Sequence, residues 1–231
     1  MLSLSTYYSA KMLSLSTSCQ VVKLKRDRNK NMAVKKTYHH GDLRSSIITE
    51  ALSWIEQENI FSLSLRGIAR RLGVSHNAPY RHFPDKESLL VAIAEIGFAQ
   101  LHQTLEQASK CSDDAKQNLE TIGVAYVRYA IENKGYYRVM FSDLQLICDK
   151  HPELDRISQQ AFSVLLNAVK IGQKAQIFIA EDSLQLANVC WSLTHGVSML
   201  ALDRQLKISS EEDILELAHT ATKIVSKGLS K

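Results

Sequence analysis

Between Ser64 and Leu90 the chain reads SLRGIARRLGVSHNAPYRHFPDKESLL, two short helical segments joined by a tight turn and followed by the start of a longer helix. Leu65, Ile68, Ala69 and Leu72 fall at i, i+3, i+4 and i+7, one apolar stripe on a helix that Ser64 is suited to cap. Gly73 follows, where a positive φ lets the chain reverse. Val74 fills the turn, and Ser75 is placed to cap a second helix from His76 to His82. Pro84-Asp85-Lys86-Glu87 then opens the third helix, with acids near its positive end. Two short helices crossing steeply at a glycine-containing turn make a helix-turn-helix. A corner in an ordinary helical bundle has the same periodicity, so the side chains of the second helix decide between them.

Those side chains are unusual for packing. His76, Asn77, Tyr80, Arg81 and His82 each carry a hydrogen-bond donor suited to a phosphate or a base edge. Only Val74, Pro79 and Phe83 remain to anchor the segment. Lys86 runs against the charge preference of a helix N-terminus, a position from which an ammonium reaches a nucleic-acid backbone. Insertion into a DNA groove explains this composition; core packing does not.

The run A-R-R-L-G-V-S-x-x-A-x-Y-R-H-F-x-x-K-E-x-L, Ala69 to Leu89, resembles the DNA-binding domain of the TetR family of bacterial transcriptional regulators. Gly73, Val74, Ser75, Tyr80, His82, Phe83, Lys86 and Leu89 fall on the family pattern in register, and the likeness extends upstream through Asp42 to Glu58. The resemblance implies phosphate contacts from Tyr80, His82 and Lys86 and at Ala78, a set that Ser64 and Arg81 complete. It implies base reading by His76, Asn77 and Arg66. Pro79 departs from the pattern, which more often has leucine; in a first turn its missing N–H costs little, so an altered helix start is expected.

The rest of the chain reads as helices. At 231 residues and 45% hydrophobic, with three prolines, nine glycines and no alternating β-branched run, it predicts an all-α fold. The organisation expected is an extension at 1–34, a three-helix DNA-binding domain at 35–90 and a helical effector-binding and dimerisation domain at 91–231. The net charge of +4 is uneven: residues 1–31 carry +5, residues 32–90 carry +2 and residues 91–231 carry −3. A basic head on an acidic body suits DNA at one end. MLSLST occurs twice in the first 17 residues without a secretory pattern, and Met32 is a second candidate start. The arm Lys35 to His40 reads equally well as a minor-groove arm or a frayed end. Cys19, Cys111, Cys148 and Cys190 are too dispersed for a zinc site or a disulfide framework, so neither metal nor cofactor is expected and the location expected is cytoplasmic.

In the body, helices are expected over Asp85–Ser109, Asp113–Asn133 with Gly135 as cap, Glu153–Gln173, Asp182–Arg204 and Glu211–Leu229, with a short helix or turn at Tyr136–Asp143. Residues 175–181 read as a loop anchored by Ile177 to Ile179. On the last two helices Leu186, Cys190, Leu193, Val197 and Leu200, with Ile214, Leu217, Ala221 and Ile224, form wide apolar stripes. They read as a four-helix interface between two copies, against the alternative of closing a monomer core. Trp191-Ser192-Leu193-Thr194-His195-Gly196 resembles a W-x-x-x-H-G signature of one TetR subgroup. Trp191 and His195 share a helix face, and with Tyr126, Tyr137, Phe141 and Met199 they either line an effector pocket or form a structural stack. In the stack, a backbone carbonyl satisfies His195 and Gly196 permits close helix approach.

The function expected is therefore a DNA-binding, ligand-responsive, homodimeric repressor with operator DNA, a second copy and a small molecule as partners. An all-α enzyme or carrier with a vestigial helix-turn-helix is the competitor. It lacks a nucleophile elbow, a metal motif or a phosphate loop, and the cluster Asp149, His151, Glu153 and Asp155 reads as a solvated helix start.

Overall fold

The computed structural model describes residues 43–142, 150–208 and 210–231. The N-terminal extension, Met32, the arm at 35–40, Asp42, Asp143 and Asp149 lie outside the described residues. The helices are α1 (Leu43–Gln57), α2 (Leu65–Leu72), α3 (Lys86–Ala108), α4 (Ala115–Glu132), α5 (Lys134–Met140), α6 (Pro152–Lys174), α7 (Ser183–Leu202) and α8 (Glu211–Gly228), with a 3-10 turn at Pro79–Arg81. All belong to one contact-connected unit from His40 to Lys231. The fold is all-α: a helix-turn-helix head followed by a helical body. Among the described residues no helix is long and apolar enough to cross a membrane.

Start signals in the sequence become caps. The side chains of Ser64, Asp85, Asp114, Asp182 and Ser210 accept the backbone N–H groups of Gly67, Ser88, Gln117, Gln185 and Asp213. Each satisfies an N–H that the helix itself leaves unpaired, worth about 1 kcal/mol apiece. Three acids, Glu211, Glu212 and Asp213, crowd the positive end of α8.

Two expected caps are replaced. Gly135 does not end α4: Asn133 does so at φ −123°, and Gly135 is buried inside α5. There its missing side chain makes room, since a Cβ would lie 3.2 Å from both Leu52 Cδ2 and Glu56 Oε1 of α1. Ser75 caps no α-helix either, for a reason given below.

Leu89, Ile93, Ile122, Val127, Tyr137, Met140, Leu154 and Val169 are among the most deeply buried side chains. α3 is the shared element, contacting α4, α5 and α6, while α1 rests on α2 and α5. A cut at residue 90/91 thus falls inside one continuous helix. The Tyr129 hydroxyl ties α4 to α3 by donating to the Gly97 carbonyl at 2.8 Å. α4 and α8 approach closely at Gly123, where an added Cβ would overlap the Thr222 methyl. The anchored loop closes the far end. Phe178 is fully buried and bridges to Ser230, with Ile179 N–H donating to Leu229 O at 2.8 Å and Lys231 N–H to Ile177 O at 3.1 Å.

Candidate nucleic-acid interface and effector cavity

α2 owes its placement to one close contact. Gly67 lies against the Trp54 indole of α1 and beside the capping hydroxyl of Ser64. Gly73, at φ 68°, then reverses the chain and donates its N–H toward the Ala69 and Arg70 carbonyls. Only glycine adopts that backbone cheaply. Arg71 locks α2 onto α1: its guanidinium sits 4.0 Å from the Trp54 ring centroid and bonds Glu50 at 3.2 Å and Glu58 at 2.7 Å. It is occupied in holding the head together.

Beyond Gly73 the expected helix His76–His82 is a turn over 76–78 followed by the 3-10 turn Pro79–Arg81. The cause is Pro79. It has no N–H to give to the Ser75 carbonyl, so that carbonyl takes the Ala78 N–H instead, at 2.9 Å. Pro79 is buried and Phe83 is 3% exposed, so together they seat the segment. The sequence anticipated both anchors, but not the tighter winding.

The outer surface of this head is dense in donors. Arg66, His76, Asn77, Tyr80, Arg81 and His82 are all exposed, and Ala78 is half-buried between them. From Ser64 to Phe83 there is no acidic residue, and Arg66, Arg70 and Arg81 have no ion-pair partner among the described residues. Lys86 is half-buried and donates to the Phe61 carbonyl at 3.0 Å; burial draws its pKa down. Two cations were missed in the sequence. Arg70 is exposed one turn after Arg66, and Arg44, in the first turn of α1, lies 5.2 Å from the Phe83 ring centroid. A basic residue in a helix's first turn, against the dipole, is the signal that marks Arg44 just as it marks Lys86.

In the body, the aromatic residues singled out above do meet. Trp191 Nε1–H donates to the Tyr126 hydroxyl at 3.1 Å. The Tyr126 and Tyr137 hydroxyls are 3.0 Å apart and lie 3.0 and 2.8 Å from His195 Nδ1. Tryptophan only donates, so the Tyr126 hydroxyl accepts from Trp191, and the two phenols and the His195 ring share the remaining hydrogen bonds of the cluster. Desolvation pushes both phenols up and lowers the His195 pKa, so burial favours the neutral form of all three. Tyrosine hydroxyls, not a backbone carbonyl, thus satisfy His195. Gly196 brings no helix close within the subunit, since nothing lies within 4 Å of its would-be Cβ.

This stack forms one wall of a cavity of about 280 Å³ between α3, α4, α6 and α7. Tyr126, Phe141 and Trp191 line it, and Phe98, Leu105 and Phe162 complete its apolar surface. Tyr137 and His195 stand behind that wall, and Met199 borders a separate cleft of about 180 Å³ with Phe61 and Arg138. Sequence reasoning missed the α3 and α6 lining, which has no local signature. The acidic cluster disperses: His151 pairs with Glu87 at 3.0 Å, Glu153 with Arg156 at 2.6 Å, and Asp155 with Gln159 at 2.7 Å.

The supposed interface stripes also divide. Leu186, Cys190, Val197 and Ala221 are buried in the subunit's own core, and burial pushes the Cys190 thiol up to about 11. Leu200 and Ile224 stay 46% and 64% exposed, and Val189, absent from the expected stripe, is 56% exposed. Leu193, Ile214 and Leu217 are half-buried. A helical period reveals a wide apolar face but not which edge meets its own core.

A basic helix-turn-helix head, continuous through α3 with a helical body that holds an apolar cavity, is the architecture of a DNA-binding transcriptional regulator. Residues 47–93 match the family model of bacterial regulatory proteins of the tetR family, and residues 119–223 match that of the tetracyclin repressor-like C-terminal domain. The chain belongs to the TetR family. It is 26% identical over 179 residues to YobS, an HTH-type transcriptional regulator of Bacillus subtilis (strain 168), covering 76% of this chain and 86% of that one. It is also similar to a solved protein of unknown function from Rhodococcus sp. RHA1, with 28% identity, a TM-score of 0.70, and 85% and 100% of the two chains covered. A more distant likeness, of fold alone, is FadR from Bacillus subtilis solved in complex with stearoyl-CoA, at 18% identity, a TM-score of 0.66, and 80% and 98% coverage.

Proposed function

We propose that the protein is a homodimeric repressor whose head (residues 35–90) grips operator DNA and whose body (residues 91–231) pairs two copies and senses a small molecule. The observation that carries the DNA reading is the acid-free, donor-rich surface from Ser64 to Phe83. Arg66, His76 and Asn77 read bases. Ser64, Ala78, Tyr80, Arg81, His82 and Lys86 hold the backbone, joined by Arg44 and Arg70. Val189, Leu193 and Leu200 of α7, with Ile214, Leu217 and Ile224 of α8, present the face that a second copy covers. Burying them offsets the cost of exposing large apolar groups to water.

Ligand and DNA are linked through α3. Phe98, Leu101 and Leu105 line the cavity, and the first turn of the same helix carries Lys86 beside the reading segment. An occupant that favours a different tilt of α3 changes the spacing of the two heads and weakens operator binding, by no more than its preference between the two states.

A gel shift with the chain's own upstream DNA tests this: a retarded complex that survives excess random duplex is expected, and equal competition by random DNA contradicts it. Arg66→Ala is expected to cost about 1–3 kcal/mol on the operator and to relax one base position. Equal losses on operator and random DNA would assign Arg66 to the backbone instead.

The His195 cluster has a pH signature. The folded pKa lies below the ordinary histidine value, so the unfolded chain binds this proton more readily. Stability therefore falls as pH drops below about 6.5, toward the lower folded value. Thermal melts from pH 7.5 to 5 are expected to show a steeper acid loss in the parent than in His195→Gln; parallel curves would remove the assigned neutral state.

A further inference from the structure

The lining of the 280 Å³ cavity narrows what it accepts, an inference that rests on the effector reading above. Its deep wall is aromatic and aliphatic, formed by Phe98, Leu105, Phe141, Phe162, Leu165 and Trp191. The polar atoms on that wall are already spent, because Trp191 Nε1–H bonds the Tyr126 hydroxyl, which is held in turn by Tyr137 and His195. Among the described lining residues none is charged. Its polar lining residues besides Tyr126 and Trp191 are Ser158, Gln159 and Asn188, and the exposure of Gln159 and Asn188 to solvent marks its mouth. Part of their donor capacity is already used. The Gln159 amide N–H₂ is drawn 2.7 Å onto Asp155 Oδ2, and the Ser158 hydroxyl donates to the Asp155 carbonyl at 2.8 Å. The Gln159 carbonyl and its second N–H, the Ser158 lone pairs and the Asn188 amide remain, a neutral set that both accepts and donates.

We propose that this cavity takes a small uncharged molecule with an aromatic or alicyclic body, apolar part inward and one non-ionised hydrogen-bonding group at the Ser158–Gln159–Asn188 mouth. Among the described lining residues an anion meets no cation, and it has the Asp155 carboxylate just behind the mouth, so its desolvation is uncompensated. A neutral body exchanges poorly hydrated apolar walls for direct packing.

Two fluorescent probes with the same skeleton separate the possibilities: N-phenyl-1-naphthylamine, which is neutral, and its 8-sulfonate, which is anionic. On the full chain the neutral probe is expected to bind saturably, one per subunit, at least about tenfold more tightly than the sulfonate. Ala161→Phe, which fills the cavity, is expected to abolish that binding. Asn188 is an exposed position on α7, so Asn188→Lys leaves folding intact. It is expected to tighten sulfonate binding at least about fivefold, narrowing the gap between the two probes. Equal or tighter sulfonate binding by the parent overturns the inference, as does no effect of Asn188→Lys on the sulfonate. An aromatic quaternary ammonium that displaces the probe better than 4-tert-butylphenol also overturns it. Each of these leaves an effector cavity standing with another ligand class. If neither probe binds, the inference falls, and the cavity reading falls with it. A failed operator shift on the same preparation separately marks failure of the DNA reading.

Discussion

Replacing Val189 and Ile224 together with aspartate is expected to turn the protein into a folded monomer that has lost at least about a hundredfold of its operator affinity. Both side chains are more than half exposed, so neither charge enters the subunit's core, and the melting temperature should stay close to that of the parent. Two copies facing one another would instead bury four carboxylates against apolar neighbours, a cost of several kcal/mol that the interface cannot recover. The DNA consequence follows from geometry. One head engages one half-site weakly, and the second head's contribution is an effective-concentration gain of about 10²–10⁴ that vanishes with the dimer. Sedimentation and a DNA titration check the two halves of this expectation. A variant that stays dimeric places the interface elsewhere on the body.

The second large effect is expected at Gly67. A methyl group there would sit 2.5 Å from Trp54 Cη2, 2.6 Å from Cζ3 and 2.9 Å from the capping Ser64 hydroxyl. The indole cannot swing away freely, because Arg71 is stacked on its face and its Nε1–H bonds the Ser62 hydroxyl at 2.9 Å. Gly67→Ala should therefore destabilise the protein by about 1–3 kcal/mol, as overpacked cores do, despite alanine's better helix propensity. Since α2 carries Arg66 and leads into the reading segment, operator affinity should fall with it. A variant as stable as the parent, with unchanged DNA binding, would mean that Trp54 does not set the position of α2.

Much of this head was legible beforehand because its signals are local. Ser64, Gly73 and Asp85 act within four residues of themselves, and the stripe Leu65, Ile68, Ala69, Leu72 needs only a helical period. The 3-10 winding at Pro79–Arg81 was less legible, although its cause, one missing N–H, is visible in the sequence. The body was harder for a different reason. Leu186, Cys190 and Val197 lie on the same helix as Val189 and Leu200, and which edge turns inward depends on where α4, α6 and α8 dock. The cavity shows the same limit. Trp191 and Tyr126 announced themselves as aromatics, whereas Phe98, Leu105 and Phe162 became lining residues only through the packing of distant helices.

The central expectation is that two heads of one dimer read DNA through Arg66, His76 and Asn77. Selection of bound duplexes from a random pool measures it most directly. An enriched inverted repeat is expected, with half-sites centred one helical turn or a multiple of it apart and specificity at one half-site position relaxed by Arg66→Ala. Recovery of unenriched sequence, bound as tightly as the pool, would contradict it.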